Sequence, residues 1–140
     1  MNKTEEAKKL FSEGYNCAQA VFAVFSEGLG LDKGQALQIS SGFGAGMART
    51  DQVCGAVSGA VMVIGLKYGG EKEKKEATYA KIKEFTEKFK TKNKDLSCSG
   101  LIGCNMSTKE GMEVAKKKEA HTKLCPKFVE DAVEILGEIL

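Results

Sequence analysis

Five cysteines are the residues of this sequence whose type and spacing could support chemistry: Cys17, Cys54, Cys98, Cys104 and Cys125. No two of them form a C-x-x-C pair, which argues against a thioredoxin-like motif and against the local loops of zinc ribbons and ferredoxins. The odd number and wide spacing are more typical of metal ligands or redox groups in a reducing compartment than of structural disulfides. A site built from these thiols must therefore be assembled by folding.

Four of the cysteines fall at predicted amino termini of helices. Unpaired backbone N–H groups and the positive end of the helix dipole favour anions there, and they lower the pKa of a thiol. We therefore expect these positions to favour thiolates and to converge on one redox or metal site. The pairs of helix-start residue and cysteine are Asn16 with Cys17, Asp51 with Cys54, Ser97 with Cys98, and Pro126 with the preceding Cys125.

The elements that must position the cysteines are all predicted to be helical, since no run alternates apolar and polar residues as a half-buried strand does. The predicted fold is an all-α, compact bundle of six or seven helices around a glycine-rich apolar central helix. Gly55, Gly59 and Gly65 are expected to permit close helix contact. The predicted segments are Thr4–Ser12, Cys17–Glu27, a helix capped by Asp32 and ending at Ile39, a glycine-rich loop over Ser40–Gly46, the central helix Val53–Leu66 capped by Thr50 or Asp51, Glu71–Lys90, Lys109–Lys118, and a last helix with Pro126 at its first position.

Length and charge exclude several classes of function. The 140 residues suit a single domain, and 21 basic against 19 acidic residues leave a net charge of +2, too small and too interspersed for nucleic-acid binding. The longest nearly uncharged stretch is too short to cross a bilayer. The charged segment Met1–Leu10 lacks the apolar core of a signal peptide, so we expect a cytoplasmic protein. The glycine-lined central helix offers a surface for a homodimer.

Three further residues could contribute to a cysteine site. Cys104 is predicted to be a packed residue, with a role as resolving thiol for Cys98 as the alternative. His121, the single histidine, is predicted to be an ordinary surface residue, although it precedes Cys125 by one helical turn. Arg49, the only arginine, could stabilise a thiolate or could be solvated on the surface.

The sequence resembles the C_GCAxxG_C_C family of redox-active proteins. The resemblance rests on Gly14-Tyr-Asn-Cys-Ala-Gln19, on Cys54-Gly-Ala-Val-Ser-Gly59, on Cys98, and on Cys125-Pro-Lys-Phe-Val129. It implies a redox role without a particular reaction. Because similar domains occur with electron-transfer proteins such as split-Soret-type cytochromes, it also implies an iron-sulfur cluster and a redox partner protein.

Four functions compete at this point. The leading hypothesis is an electron-transfer module in which Cys17, Cys54, Cys98 and Cys125 ligate an iron-sulfur cluster. The second is a thiol-disulfide or peroxide-handling enzyme in which Cys54, which follows the glycine-rich loop, attacks and Cys98 is the other catalytic thiol. The third is a zinc site formed by the same four thiolates, and the fourth is a purely structural helical protein.

Overall fold

The computed structural model describes residues Met1 to Leu140 and consists of helices joined by short turns. It contains no β-strand, which confirms the predicted all-α fold; only one isolated bridge pairs two extended residues. Seven helices are eight residues or longer, and three are shorter. The helices are α1 (Lys3–Ser12), α2 (Cys17–Ser26), α3 (Lys33–Ser40), α4 (Gly44–Arg49), α5 (Gly55–Tyr68), α6 (Lys75–Asn93), α7 (Cys98–Ile102), α8 (Lys109–Lys117), α9 (Ala120–Lys123) and α10 (Cys125–Ile139).

The centre of the molecule is the packing of α2 against α5. Helix α2 also contacts α1 and α3, while α10 packs across α1, α5 and α6. The apolar helix α5 lies at the centre of the fold, as predicted, and its residues Val57, Val63 and Ile64 are all buried. At Gly59 a Cβ would lie 2.8 Å from the carbonyl oxygen of Ala18, so glycine is needed for the two backbones to approach this closely.

The glycines of α5 are used within the chain. A Cβ at Gly55 would overlap the sulfur of Cys17, and Gly59 contacts Ala18 and Val21 of α2. Close helix contact was the predicted role of these two residues, and it is confirmed. They give no support to the predicted homodimer, because the face that they form is already covered by α2.

The start of α5 differs from the prediction. The helix begins at Gly55 with Cys54 as its N-cap, so the capping role predicted for Asp51 or Thr50 is wrong. The carboxylate of Asp51 instead accepts a hydrogen bond of 3.1 Å from the backbone N–H of Ser99, in the first turn of α7. Tertiary contact with α7 thus gives this aspartate a partner that the local sequence does not indicate.

The segment predicted as a glycine-rich loop also differs in part. Residues 41–43 form a turn, but α4 follows at once and is wound in the left-handed sense. Its backbone has φ of 54° at Ala45, 66° at Gly46, 63° at Met47, 59° at Ala48 and 64° at Arg49. Only glycine adopts this conformation at no cost, so four of these five residues are strained.

The carboxyl-terminal half contains two smaller differences. A 3₁₀ turn over Lys72–Lys74 precedes α6, which therefore begins later than predicted and runs on to Asn93. The short α9 was not predicted, and it follows Glu119, whose φ is 54°. None of the helices combines the length and the apolar character needed to span a membrane.

Candidate functional site

Cys17 is the first residue of α2, and a capping box fixes its position. The side chain of Asn16 accepts a hydrogen bond of 2.9 Å from the backbone N–H of Gln19, and the side chain of Gln19 accepts one of 3.0 Å from the N–H of Asn16. The amide of Asn16 also donates to the carbonyl of Ser41, at 2.9 Å. These bonds tie the start of α2 to the segment that leads into α4, so the sulfur of Cys17 faces α4 and α5.

Cys54 and Cys98 are held side by side by two extended segments. Val53 and Ser97 form an isolated antiparallel bridge, and each cysteine directly follows one of them. The N–H of Cys54 donates to the carbonyl of Leu96 at 2.8 Å, and the N–H of Cys98 donates to that of Gln52 at 3.0 Å. This pairing brings together two helix starts that are far apart in sequence.

The four cysteines at helix starts line one cavity of about 580 Å³: Cys17, Cys54, Cys98 and Cys125. Cys17, Cys98 and Cys125 are the first residues of their helices and Cys54 is an N-cap, so the predicted location at helix amino termini is confirmed. The first three along the chain are buried and Cys125 is half-buried. Cys104 is half-buried, lies outside the cavity wall and packs against the core, which agrees with its predicted packing role.

Cys17 is the one thiol of the site that ionises readily. Hydrogen bonding from the Cys54 thiol is the largest cause that favours the Cys17 thiolate, followed by the backbone N–H groups of Ala45, Ala18 and Cys17 itself. These donors outweigh burial and lower the pKa of Cys17 to about 6. The same hydrogen bond, together with burial, raises the pKa of Cys54 well above its ordinary value. The pair therefore shares one proton near neutral pH.

The other two cysteines of the cavity remain protonated. Burial, reinforced by the nearby Cys17 thiolate, raises the pKa of Cys98 to about 11 and that of Cys125 to about 12. A low pKa was predicted for all four positions, and it is found at Cys17 alone. At Cys98 and Cys125 the largest cause of the raised pKa is desolvation, whereas at Cys54 it is the hydrogen bond to Cys17, with desolvation second.

The left-handed turn α4 supplies part of the environment of Cys17. Its winding directs the N–H of Ala45 at the Cys17 sulfur. At Gly46 a Cβ would lie 2.7 Å from the Cβ of Cys98, and the carbonyl of Gly46 accepts from the N–H of Gln52 at 2.9 Å. The predicted proximity of the glycine-rich segment to the site is confirmed, and the strained backbone is retained where it contacts two cysteines.

Replacement of Ala48 by glycine is expected to stabilise the protein. Ala48 is exposed and has φ of 59°, a conformation that glycine adopts without the clash between Cβ and the carbonyl oxygen. We expect Ala48→Gly to raise the free energy of unfolding by about 0.5–1 kcal/mol in urea titrations. The matched control is Ala77→Gly, at an exposed position of the right-handed helix α6, which should lower it by about 1 kcal/mol. Equal losses in both variants would contradict the left-handed assignment.

The cysteine cavity is the place where the sequence predicts a metal site. No group of three or more histidine, cysteine, aspartate or glutamate side chains is arranged so that it could hold a metal ion. The four cysteines border the same cavity. Ligation of iron-sulfur or zinc by Cys17, Cys54, Cys98 and Cys125 stays a prediction.

Two other predicted candidates lie at the edge of the cavity. Arg49 is exposed, and it is not among the groups that lower the pKa of Cys17. His121 is exposed, as predicted, and stacks on the ring of Phe11 with the ring centroids 4.4 Å apart. Both side chains are exposed and line the cavity.

Two glycines shape the site itself, although the sequence assigns them only to close helix contact or to a loop. Gly55 has no room for a side chain because the sulfur of Cys17 and the Cα of Gly44 lie against it. Gly44 in turn lies against the side chain of Asn16. In the sequence each of these glycines lies next to a cysteine or within the glycine-rich segment, which hints at a role in the site. The sequence does not show which glycine contacts which thiol.

Comparison with known proteins places the chain in a family. No curated protein and no solved structure matches it. A family model described as "Putative redox-active protein (C_GCAxxG_C_C)" matches residues 15–139, a span that contains all five cysteines. The chain, with its four cysteines around one cavity, therefore belongs to the C_GCAxxG_C_C redox-active family.

Proposed function

We propose that this protein is a dithiol-disulfide redox protein in which Cys17 and Cys54 form the reactive pair. The observation that carries the proposal is that the Cys17 sulfur lies against Gly55, the residue after Cys54, while the Cys54 thiol is the largest cause of the lowered pKa of Cys17. Two buried cysteines that border the same cavity and are neighbours in the fold can join without rearrangement of the helices. A stabilised thiolate next to a protonated thiol is also the arrangement that thiol-disulfide exchange requires.

The exchange proceeds in two steps. The Cys17 thiolate attacks one sulfur of a substrate disulfide, whose S–S bond breaks, and the other sulfur leaves as a thiolate. Cys54 then gives up its proton to that leaving thiolate and attacks the Cys17 sulfur, which releases the second substrate thiolate. The protein gains one disulfide and loses two electrons, while the substrate disulfide is reduced to one thiol and one thiolate, which takes a proton from water.

In this proposal Cys17 is the nucleophile and Cys54 the resolving thiol. The sequence favoured Cys54 as attacker with Cys98 as the other catalytic thiol. The raised pKa of Cys54 favours the opposite order, because the nucleophile in exchange is the thiolate. Cys98 remains protonated at neutral pH and is a weaker candidate for either step.

Disulfide mapping tests the pair. The fully reduced chain is treated with one equivalent of hydroxyethyl disulfide in the absence of air, quenched with iodoacetamide, digested and analysed by mass spectrometry. We expect a Cys17–Cys54 disulfide as the main product, with the other three cysteines alkylated. In Cys54→Ala, the resolving step is blocked and hydroxyethyl thiol should remain attached to Cys17. A main product linking Cys98 to Cys104 or to Cys125 would contradict the assignment.

Electron transfer by an iron-sulfur cluster is the second candidate. Its support is that four thiols at helix amino termini line one cavity, since such termini stabilise the negative charge of thiolates. A cluster ligated there would accept and donate single electrons. Anaerobic reconstitution followed by iron and sulfide determination and native mass spectrometry distinguishes a cluster, a single zinc ion and the metal-free dithiol. Protein without iron after reconstitution would remove this candidate.

A further inference from the structure

We propose that the cavity in front of Cys17 receives a small organic disulfide that carries a carboxylate, and that Arg49 and Lys116 at its opening hold that carboxylate. This inference rests on the proposed dithiol function, because it names the substrate of the same site. It is carried by the size of the cavity, the burial of the sulfur, the lining and the charges at the opening.

The size of the cavity and the depth of the sulfur favour a small molecule over a protein. A volume of about 580 Å³ lies within the range of about 300–1,000 Å³ that is usual for small-molecule sites. The side chain that must attack, Cys17, is only 8% exposed. A compact molecule that enters the cavity reaches a sulfur this deeply buried more easily than a disulfide on the surface of a folded partner does.

The wall of the cavity is mainly apolar. Besides the cysteines, it is formed by aromatic, thioether and aliphatic side chains from α1, α7, α8, α10 and the segment between α7 and α8. Such a wall suits the hydrocarbon and sulfur atoms of an organic disulfide. Examples are Phe11, Leu101, Met106, Met112 and Phe128.

The charges at the opening favour an anion. Arg49 and Lys116 line the cavity, are exposed and form neither an ion pair nor a side-chain hydrogen bond. The one acidic lining residue, Glu119, is already paired with Lys123. Two cations of the cavity lining therefore have no ion-pair partner, whereas its one carboxylate has one. A guanidinium that binds a carboxylate in two-pronged fashion would orient the substrate with its disulfide toward Cys17.

Three small disulfides that differ in charge test the inference with the reduced full chain. Dithiodipropionate is anionic, hydroxyethyl disulfide is neutral and cystamine is cationic. Each rate of protein oxidation is divided by the rate at which dithiothreitol reduces the same compound, which corrects for intrinsic reactivity. At low ionic strength we expect the corrected rate to be about tenfold higher for the anion than for the cation, and the difference to shrink in high salt.

Charge variants locate the preference. Arg49→Met should lower the ratio of anionic to neutral rates about threefold, and Arg49→Lys should lower it less, because an ammonium keeps the charge but loses the planar fork. The control is Lys83→Met, which removes one positive charge from an exposed position of α6 that does not line the cavity. If Lys83→Met lowered the ratio of anionic to neutral rates by the same factor, the effect would depend only on the net charge of the protein, and the inference would be overturned.

The remaining outcomes separate this inference from the proposed function. If all three compounds oxidise the Cys17–Cys54 pair at equal corrected rates, the dithiol function stands and the carboxylate site is wrong. If all three react slowly while a disulfide-bonded protein is reduced quickly, the substrate is a protein and the inference is again overturned. If no oxidant links Cys17 to Cys54, the proposed function itself fails.

Discussion

At pH 6, iodoacetamide is expected to alkylate the reduced protein about tenfold faster than it alkylates the variant Cys17→Ser. The rate for the unmodified sequence should rise with pH through a midpoint at about 6 and then level off, because the pKa of Cys17 is lowered to about 6. The expected direction follows from ionisation, since the reactive thiolate is gained as the pH increases through the pKa. Rates measured by mass spectrometry of the Cys17 peptide between pH 5 and 8.5 give the profile.

The size of the effect reflects two opposing terms. At pH 6 about half of a thiol with a pKa near 6 is thiolate, against about 0.3% of a thiol with the ordinary pKa of about 8.5. A thiolate of lower pKa is also a weaker nucleophile, with a Brønsted coefficient of about 0.4–0.5, which removes about tenfold of this gain. The remaining advantage is about tenfold. It is largest at acidic pH, where ordinary thiols are nearly unreactive.

Substitutions of Cys54 identify the source of the low pKa. Cys54→Ser keeps a hydroxyl that can donate to the Cys17 sulfur, so its midpoint should stay low, whereas Cys54→Ala loses the largest cause of the shift and its midpoint should increase. Cys104→Ala is the control, because Cys104 does not act on Cys17 and the profile should not change. A fast phase that survives in Cys17→Ser, or a midpoint that is the same in Cys54→Ala, would contradict the proposed pair.

The location of the cysteines at helix starts could be predicted because the signals are local. Asn16 and Ser97 are strong N-cap residues, and Pro126 is favoured in the first turn of a helix. Each signal depends on the backbone of a few neighbouring residues, so it can be recognised without knowledge of the fold. Cys54 is the partial exception, since its helix starts at Gly55 without a side-chain cap.

The differences among the four thiols could not be predicted from the same signals. All four share a helix amino terminus, but burial and neighbours decide which one ionises. The pKa of Cys17 is lowered by the Cys54 thiol and by the N–H of Ala45, and both groups belong to segments that are distant from Cys17 in sequence. The left-handed α4, which positions Ala45, runs against the intrinsic preference of alanine, methionine and arginine, so only tertiary contacts can account for it.

Replacement of Gly55 by alanine is expected to disable the site and destabilise the protein together. The added Cβ would overlap the Cys17 sulfur and would lie 3.0 Å from both the backbone nitrogen of Ala18 and the Cα of Gly44. Neither backbone can yield easily, so the sulfur or α5 itself must move. We expect the free energy of unfolding to fall by about 2 kcal/mol in urea titrations of the reduced protein, as for an overpacked core. The rapid alkylation of Cys17 by iodoacetamide at pH 6 should be lost as well.

The same substitution in the same helix gives the opposite result where there is room. Gly65 lies in the interior of α5, and a Cβ there would meet nothing within 4 Å, so Gly65→Ala should raise the free energy of unfolding by about 0.5–1 kcal/mol and leave the alkylation profile unchanged. If Gly55→Ala kept the low midpoint of Cys17, the contact between this glycine and the thiol would not be what holds the sulfur beside Cys54. If the alkylation midpoint near pH 6 is lost in Gly55→Ala but kept in Gly65→Ala, the glycine that follows Cys54 is needed for the ionisation of Cys17, which is far away in the chain. The glycine would then act by leaving space for the sulfur, a role that helix propensity does not reveal.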